Sequence, residues 1–255
     1  MSSNPQSNIM SKIDEIMYSC GMEILHPGGL EKTLEMAIDC NINKNSKVLD
    51  IGSGKGVTAI FLAEEFGCEV IGVDLSKAMI DFAVKSVQQK GLSDKITFLN
   101  LDAHILPFNA QTFDVVFAEC STTLMDKEKA FSEFIRVTKP GGYIGDIEMC
   151  WTQKPDKIIE DKAFDIWDGF TTKTIDEWQE FYQKMGLTDI KIDDFSDKLE
   201  NMEKLYIKWL GFRGIIKIMW HLLKSRTLRK GMIEYYKFFK DYKDFIGYGY
   251  FVGRK

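Results

Sequence analysis

The run Val48-Leu49-Asp50-Ile51-Gly52-Ser53-Gly54-Lys55-Gly56 places three glycines and a carboxylate within nine residues. Glycine there allows φ > 0 and lets a ligand come close to the backbone. The spacing is GxGxG, and Val57 stands where a dinucleotide fingerprint wants its third glycine. Asp50 points the same way, because a carboxylate repels a pyrophosphate and attracts a cation. A ligand bearing an ammonium and a sulfonium suits it. No GxxxxGK[ST] segment occurs, so a P-loop nucleotide site is not expected. A purely structural strand-to-helix turn is the alternative reading of these glycines.

Other residues suited to chemistry follow at regular intervals. Asp74 closes Val70-Ile71-Gly72-Val73-Asp74, about 20 positions beyond the loop, where an acid can accept from both ribose hydroxyls. Leu101-Asp102-Ala103 offers an acceptor for an adenine amine. Glu119, Cys120 and Cys150 fall at or just past apolar runs, and His26 lies in a Pro-Gly break. These four are the candidates for direct chemistry. A buried hydrogen-bonding role is the alternative for Glu119 and small-hydrophobe packing the alternative for the cysteines. The histidines, at positions 26, 104 and 221, show no HxxxH or HExxH spacing, so no metal site is expected.

These residues need a scaffold, and the hydrophobic pattern supplies one. Lys47–Ile51, Cys68–Asp74, Lys95–Leu101, Phe113–Ala118 and Tyr143–Ile147 read as strands. Val57–Phe66, Lys77–Gln89 and Lys127–Val137 read as the helices between them. Strands alternating with helices imply a parallel sheet with right-handed crossovers. Thr174 and Glu177 form a capping box for a helix that runs to about Met185, with Gly186 as its stop. Asp189–Phe195 and Gly247–Gly253 complete a seven-stranded, doubly wound, mostly parallel α/β sheet. Helical segments at the N-terminus and late in the chain form a small cap. The expected division is 1–44 as a helical segment or lid, 45–200 as the ligand-binding domain, 201–244 as a helical insertion and 245–255 as the last strand.

In order and spacing, VLDIGSGKG, VIGVDLS, NLDAHILPF, FDVVFAEC and RVTKPGGYI resemble the class I methyltransferases that use S-adenosylmethionine (SAM), over about residues 45–150. The resemblance implies that Asp50, Gly52, Ser53, Gly54 and Gly56 hold the methionine part. It implies that Asp74 binds ribose, with Leu75 and Met79 beside the adenine, and that Asp102 and Ala103 hold the adenine edge. Glu119 would lie near the transferable methyl. For Leu75 and Met79, core packing is an equal alternative. The segment from Glu119 to Gly142 also resembles arsenite methyltransferases, which bind a soft metalloid through thiolates. The other cysteines here do not match that pattern. No NPPY-type segment follows the fourth strand, which turns the reading away from DNA and protein-amide substrates.

The whole-chain composition agrees. With 45% hydrophobic and 28% charged residues, the 255-residue chain can bury an ordinary core. A net charge of −5 argues against nucleic acid as a partner. Five cysteines without a CxxC pair fit a reduced, cytoplasmic setting. The polar start and the lack of about 18 consecutive apolar residues predict neither a signal peptide nor a spanning helix. Charge is uneven, however. Residues 203–244 hold eleven Lys or Arg against four Asp or Glu, a net of +7 that leaves −12 elsewhere. Aromatics such as Trp209, Trp220, Tyr236 and Phe239 are interleaved there. That stretch reads as a substrate lid, as a peripheral membrane or lipid contact, or as an ordinary amphipathic pair. The expected function is methyl transfer from SAM to a small molecule. A thiol, metalloid or lipid-like acceptor, a SAM-binding regulatory protein without turnover and a NAD-linked reductase are the alternatives. Oligomeric state is not readable from the sequence.

Overall fold

The computed structural model describes residues 16, 17, 20, 26, 28–197 and 202–255, with side chains from residue 210 onward in the last stretch. Of the segment 1–44 expected as a lid, most of residues 1–27 lies outside the described residues. Helix α1, Gly29–Asp39, follows them. Then come β1 (Lys47–Ile51), α2 (Val57–Phe66), β2 (Glu69–Asp74), α3 (Lys77–Lys90), β3 (Ile96–Asn100) and β4 (Phe113–Glu119). Next are α4 (Lys127–Val137), β5 (Thr138–Trp151), α5 (Lys157–Ile166), α6 (Ile175–Lys184) and β6 (Thr188–Asp194). The chain closes with α7 (Met202–Lys224), α8 (Arg226–Tyr242) and β7 (Ile246–Arg254).

The seven strands form one sheet in the order β3-β2-β1-β4-β5-β7-β6. All neighbours run parallel except β7, which is antiparallel to both β5 and β6. Val48, Leu49 and Ile51 of β1 are fully buried, as expected of a strand covered on both faces. Strand order reverses between β1 and β4, and such a switch point opens a crevice beyond the carboxyl ends of the strands.

Two apolar layers cover the sheet. One packs Met36 of α1, Ala59 of α2, Ile80 of α3, Ile159 of α5 and Phe238 of α8 against it. The other packs Phe131 and Phe134 of α4 with Trp178 and Tyr182 of α6. Helix α1 is part of the core layer: Thr33, Met36 and Ala37 are wholly buried. It lies close on β5 because Gly145 has no side chain; a Cβ there would stand 2.9 Å from Cys40 Sγ. Lys32 fastens the same helix to β6 through a 2.6 Å ion pair with Asp193.

Three boundaries differ from the sequence reading. Strand β5 runs to Trp151, because β7 pairs with it residue by residue as far as Trp151 and Ile246. Helix α5 was not expected; Asp156 starts it by accepting from the Ile159 amide at 3.0 Å. Within α7, Gly211 is non-helical (φ 56°, ψ 179°) and divides the helix. The capping box holds as read: Thr174 Oγ1 accepts from the Glu177 amide at 3.2 Å and Glu177 answers to the Thr174 amide at 3.0 Å.

Candidate cofactor and acceptor site

The glycine loop lies at the β1 end of the crevice. Gly52, Gly54 and Gly56 all have positive φ, at 68°, 50° and 79°. Substitution is further barred by contact, since a Cβ on Gly52 would lie 2.6 Å from Ser121 Cβ and one on Gly56 would lie 2.4 Å from Phe98 Cζ. The loop is therefore pressed against the β4 end on one side and β3 on the other. Its backbone is left facing the crevice, the condition for close approach by a ligand.

Asp50 sits beneath this loop at 2% exposure, and its Oδ2 has no hydrogen-bond partner. Burial pushes its carboxyl well above the ordinary carboxylate range, and the nearby Glu119 and Asp74 charges push it further. An orphaned buried carboxyl needs an explanation, and a cationic ligand is one. Ser53 Oγ, also buried, is likewise without a partner. Asp74 accepts from the Gly54 amide (2.8 Å) through one oxygen and from the Ser76 amide (2.7 Å) through the other. Each oxygen retains a lone pair for a ribose hydroxyl. Leu75 is 76% exposed, which excludes core packing for it, and Met79 is half-buried in the first turn of α3.

Asp102 is exposed and Ala103 buried. His104 Nδ1 lies 2.6 Å from Asp102 Oδ1, and its Nε2 accepts from the Asp126 amide at 3.1 Å. This pairing puts the ring proton on Nδ1 and orients the acid, whose carboxyl is held below its usual range by the His104 amide. His104 was not singled out in the sequence; its place two residues after Asp102 is the available signal.

Glu119 is 6% exposed and fully engaged. Thr33 Oγ1 of α1 donates to Oε1 at 2.7 Å, Thr58 Oγ1 of α2 donates to Oε2, and His26 Nε2 lies 3.3 Å from Oε2. Thus Glu119 and His26 come together, and two threonines join them. Cys120 takes φ 51°, a costly conformation for a residue with a Cβ, and packs with the α1–α2 layer. Cys150 belongs to the layer of α4 and α6. It lies inside β5, a correction to its expected place after the strand. Burial pushes both thiols well above their normal range, with Glu148 adding to it. The two cysteines therefore do not form the exposed thiolate pair that a metalloid would need.

A second polar group was not foreseen. Asp146 and Glu148 on β5 are completely buried, and Thr122 Oγ1 lies 2.8 Å from Asp146 Oδ2 and 2.9 Å from Glu148 Oε1. Two acids at alternate positions of an apolar strand were the available signal. Lys127 Nζ donates to Thr171 Oγ1 at 2.8 Å nearby, and burial lowers its ammonium to about 8.

The residues present thus fit SAM. The orphaned Asp50 carboxyl would suit its cationic end, the positive-φ glycines would leave room for the amino-acid part, and Asp74 and Asp102 would be free to accept from the nucleoside. Comparison with known proteins agrees. Residues 48–142 match the family model described as a methyltransferase domain. Phosphoethanolamine N-methyltransferase of Plasmodium falciparum is 27% identical over 202 residues, covering 78% of this chain and 74% of that protein. Among solved structures, phosphoethanolamine N-methyltransferase 2 of Haemonchus contortus in complex with S-adenosyl-L-methionine superposes with a TM-score of 0.79 at 22% identity. That match covers all of this chain and 60% of the other. The [4+2]-cyclase SpnF superposes with a TM-score of 0.80 at 20% identity, covering 100% and 97%. At those identities the structural matches carry the fold and not the reaction.

Proposed function

We propose that this chain, a SAM-dependent methyltransferase of class I, transfers the methyl group to a small molecule held between the strand ends and the helical cap. The observation that carries the cofactor end is Asp50, buried with an unpartnered oxygen beneath three positive-φ glycines. Bound SAM supplies an already activated methyl on its sulfonium. The task left to the protein is to place the acceptor in line with it and to keep water out.

The division of labour follows the fold. Residues 45–200 and 245–255 bind the cofactor, with Asp50 and the loop backbone holding the amino-acid end and Asp74 and Asp102 the nucleoside. Glu119 fixes α1 and α2 relative to each other at the strand end where the acceptor would sit. Residues 1–44 and 201–244 shape the acceptor's surroundings. Trp167 joins the cap to the domain, its ring centroid 5.3 Å from Phe170 and 5.3 Å from Phe238. The five free cysteines support a reduced, cytoplasmic setting. Among the described residues no helix is long and apolar enough to cross a membrane. The basic, aromatic stretch 203–243 supports a peripheral lipid contact.

The test has two parts. Calorimetry with SAM, its demethylated product and NAD should give micromolar binding for the first two and none for NAD. Absence of heat with both SAM and its product would overturn the reading. Release of demethylated product should then depend on an added acceptor. Phosphoethanolamine, the substrate in the names of the Plasmodium and Haemonchus proteins, is the first to assay. A chain that binds SAM yet turns over with no acceptor in a broad small-molecule panel would be a regulatory SAM binder instead.

A further inference from the structure

We propose that the outward face of the helical cap is a docking surface for anionic lipid bilayers. After the break at Gly211, the second half of α7 exposes Phe212, Ile216, Met219, Trp220 and Leu223. At 100° per residue these five fall within an arc of about 100°, a single continuous stripe. Exposure is high along it, 80% for Phe212 and 75% for Leu223. Arg213, Lys217 and Lys224, all exposed, line one flank of the stripe. Lys224 Nζ lies 3.5 Å from the centre of the Trp220 ring. The opposite side of the same helix carries buried Gly214 and half-buried Ile215 and Ile218, and faces the protein. An ordinary amphipathic helix turns its apolar side inward; this one is apolar on both sides.

Helix α8 continues the surface with charge. Its exposed face carries Arg226, Lys230, Lys237 and Lys240, with Ile233 at 64% and Tyr236 at 62% exposure between them. Against these stand Glu234, 3.7 Å from Lys230, and Asp241. The two helices are joined at a fixed corner, where Arg229 Nη1 donates to the carbonyls of Leu222 (2.6 Å) and Leu223 (2.8 Å).

The charge distribution selects the occupant. Residues 203–244 carry +7 on a chain whose remainder carries −12. An acidic protein that concentrates its cations around an exposed aromatic stripe is complementary to an anionic sheet with an apolar interior. A second copy docked cap to cap is a poor match, because two cation-rich faces would repel. Neither α7 nor α8 is long and apolar enough to cross a bilayer, so both would lie in its interface. None of these side chains is used by the cofactor site.

Flotation with vesicles tests this. The full chain should float with phosphatidylcholine vesicles that contain phosphatidylglycerol, should not float with phosphatidylcholine alone, and should be released by salt. Lys217→Glu/Lys224→Glu/Lys237→Glu and Phe212→Ser/Trp220→Ser should each lower partition at least about tenfold, given a roughly fivefold contribution per cation near the surface. All five positions are exposed, so SAM calorimetry should be unchanged and shows that the variants fold. Three results would overturn the proposal: no flotation at low salt, equal flotation with neutral vesicles, or undiminished flotation of both variants. A concentration-dependent dimer abolished by Phe212→Ser/Trp220→Ser, without vesicle binding, would assign the face to a second copy instead. Failure here leaves SAM binding intact and so does not bear on the methyltransferase reading.

Discussion

Glu119 Oε1 accepts a 2.7 Å hydrogen bond from Thr33 Oγ1, across 86 positions of sequence. Its other oxygen takes Thr58 and lies 3.3 Å from His26 Nε2. One buried carboxylate thus ties α1, the first turn of α2 and the segment before α1 to the end of β4. Glu119→Ala removes the acceptor of the buried Thr33 hydroxyl and of the half-buried Thr58 hydroxyl, a loss of about 1–3 kcal/mol. The expected result is a loss of stability in that range in urea and faster amide exchange along α1. Thr33→Val should give the smaller part of the same effect. Unchanged exchange in α1 would show that the helix does not depend on this link.

Asp50 predicts a proton linkage in cofactor binding. Burial, then Glu119 and Asp74, hold its carboxyl protonated well above the usual range in the free protein. A cation placed beside it favours the ionised form, so binding expels a proton. SAM affinity should therefore rise with pH until the free carboxyl ionises. Calorimetry in buffers of different ionisation enthalpy should report net release of protons on SAM binding. Asp50→Asn should bind more weakly and lose the buffer dependence. A buffer-independent heat in the unsubstituted chain would refute the linkage.

Much of this site was legible because it is local. Gly56 and Gly67 bracket α2 at the bounds read from sequence, since each takes a positive φ that ends regular structure. Asp50, Asp74 and Asp102 stand at or near strand ends as the sequence places them, because strand ends recur at the pitch of a βαβ unit. What escaped is non-local. Thr33 and Thr58 lie 86 and 61 positions from the acid they serve, and a threonine has no pattern that announces a partner. The length of β5 depends on β7, about 100 residues later, and the burial of Asp146 and Glu148 depends on the cover supplied by α4 and α6.

Asp74 joins the loop to β2, and under the proposed function it also takes the ribose, so its replacement should show both. Asp74→Ala removes the acceptor for the Gly54 amide at 2.8 Å. SAM affinity should fall by about a hundredfold, as expected when two charge-assisted hydrogen bonds are lost. Asp74→Asn, which can still accept from one amide, should lose less. Calorimetry that finds the two variants alike would mean that the loop contact contributes nothing.

The cysteines yield a negative expectation. Cys120 and Cys150 pack in different layers with their thiols pushed up by burial, so neither is an available thiolate. Cys120→Ser and Cys150→Ser should retain methyl transfer to a good acceptor, and alkylation of both thiols in the native protein should be slow. Loss of activity in both variants, with SAM binding intact, would reopen a thiol-based acceptor site.

Thr122 has one hydroxyl proton but lies within hydrogen-bond distance of two carboxyl groups, Asp146 at 2.8 Å and Glu148 at 2.9 Å. A proton held by one carboxyl of the buried pair would relieve this crowding of acceptors around a single hydroxyl. Burial raises both groups, and the Glu148 charge raises Asp146 further. A carboxyl raised on folding keeps a proton that the unfolded chain has already released above about pH 4. Its contribution is fully present below that pH and is lost as pH rises towards the folded value. Each pH unit in that window costs about 1.4 kcal/mol. Lys127, lowered to about 8, acts with the opposite sign, and only between about 8 and its ordinary 10.5. Stability should therefore decline from mildly acidic to neutral pH, before Lys127 begins to lose its proton. Asp146→Asn keeps the shape and a hydrogen-bonding partner for Thr122 but cannot ionise. Urea unfolding across that range should give a flatter profile for the variant than for the unsubstituted chain. Parallel profiles would show that Asp146 does not hold the proton in the folded state.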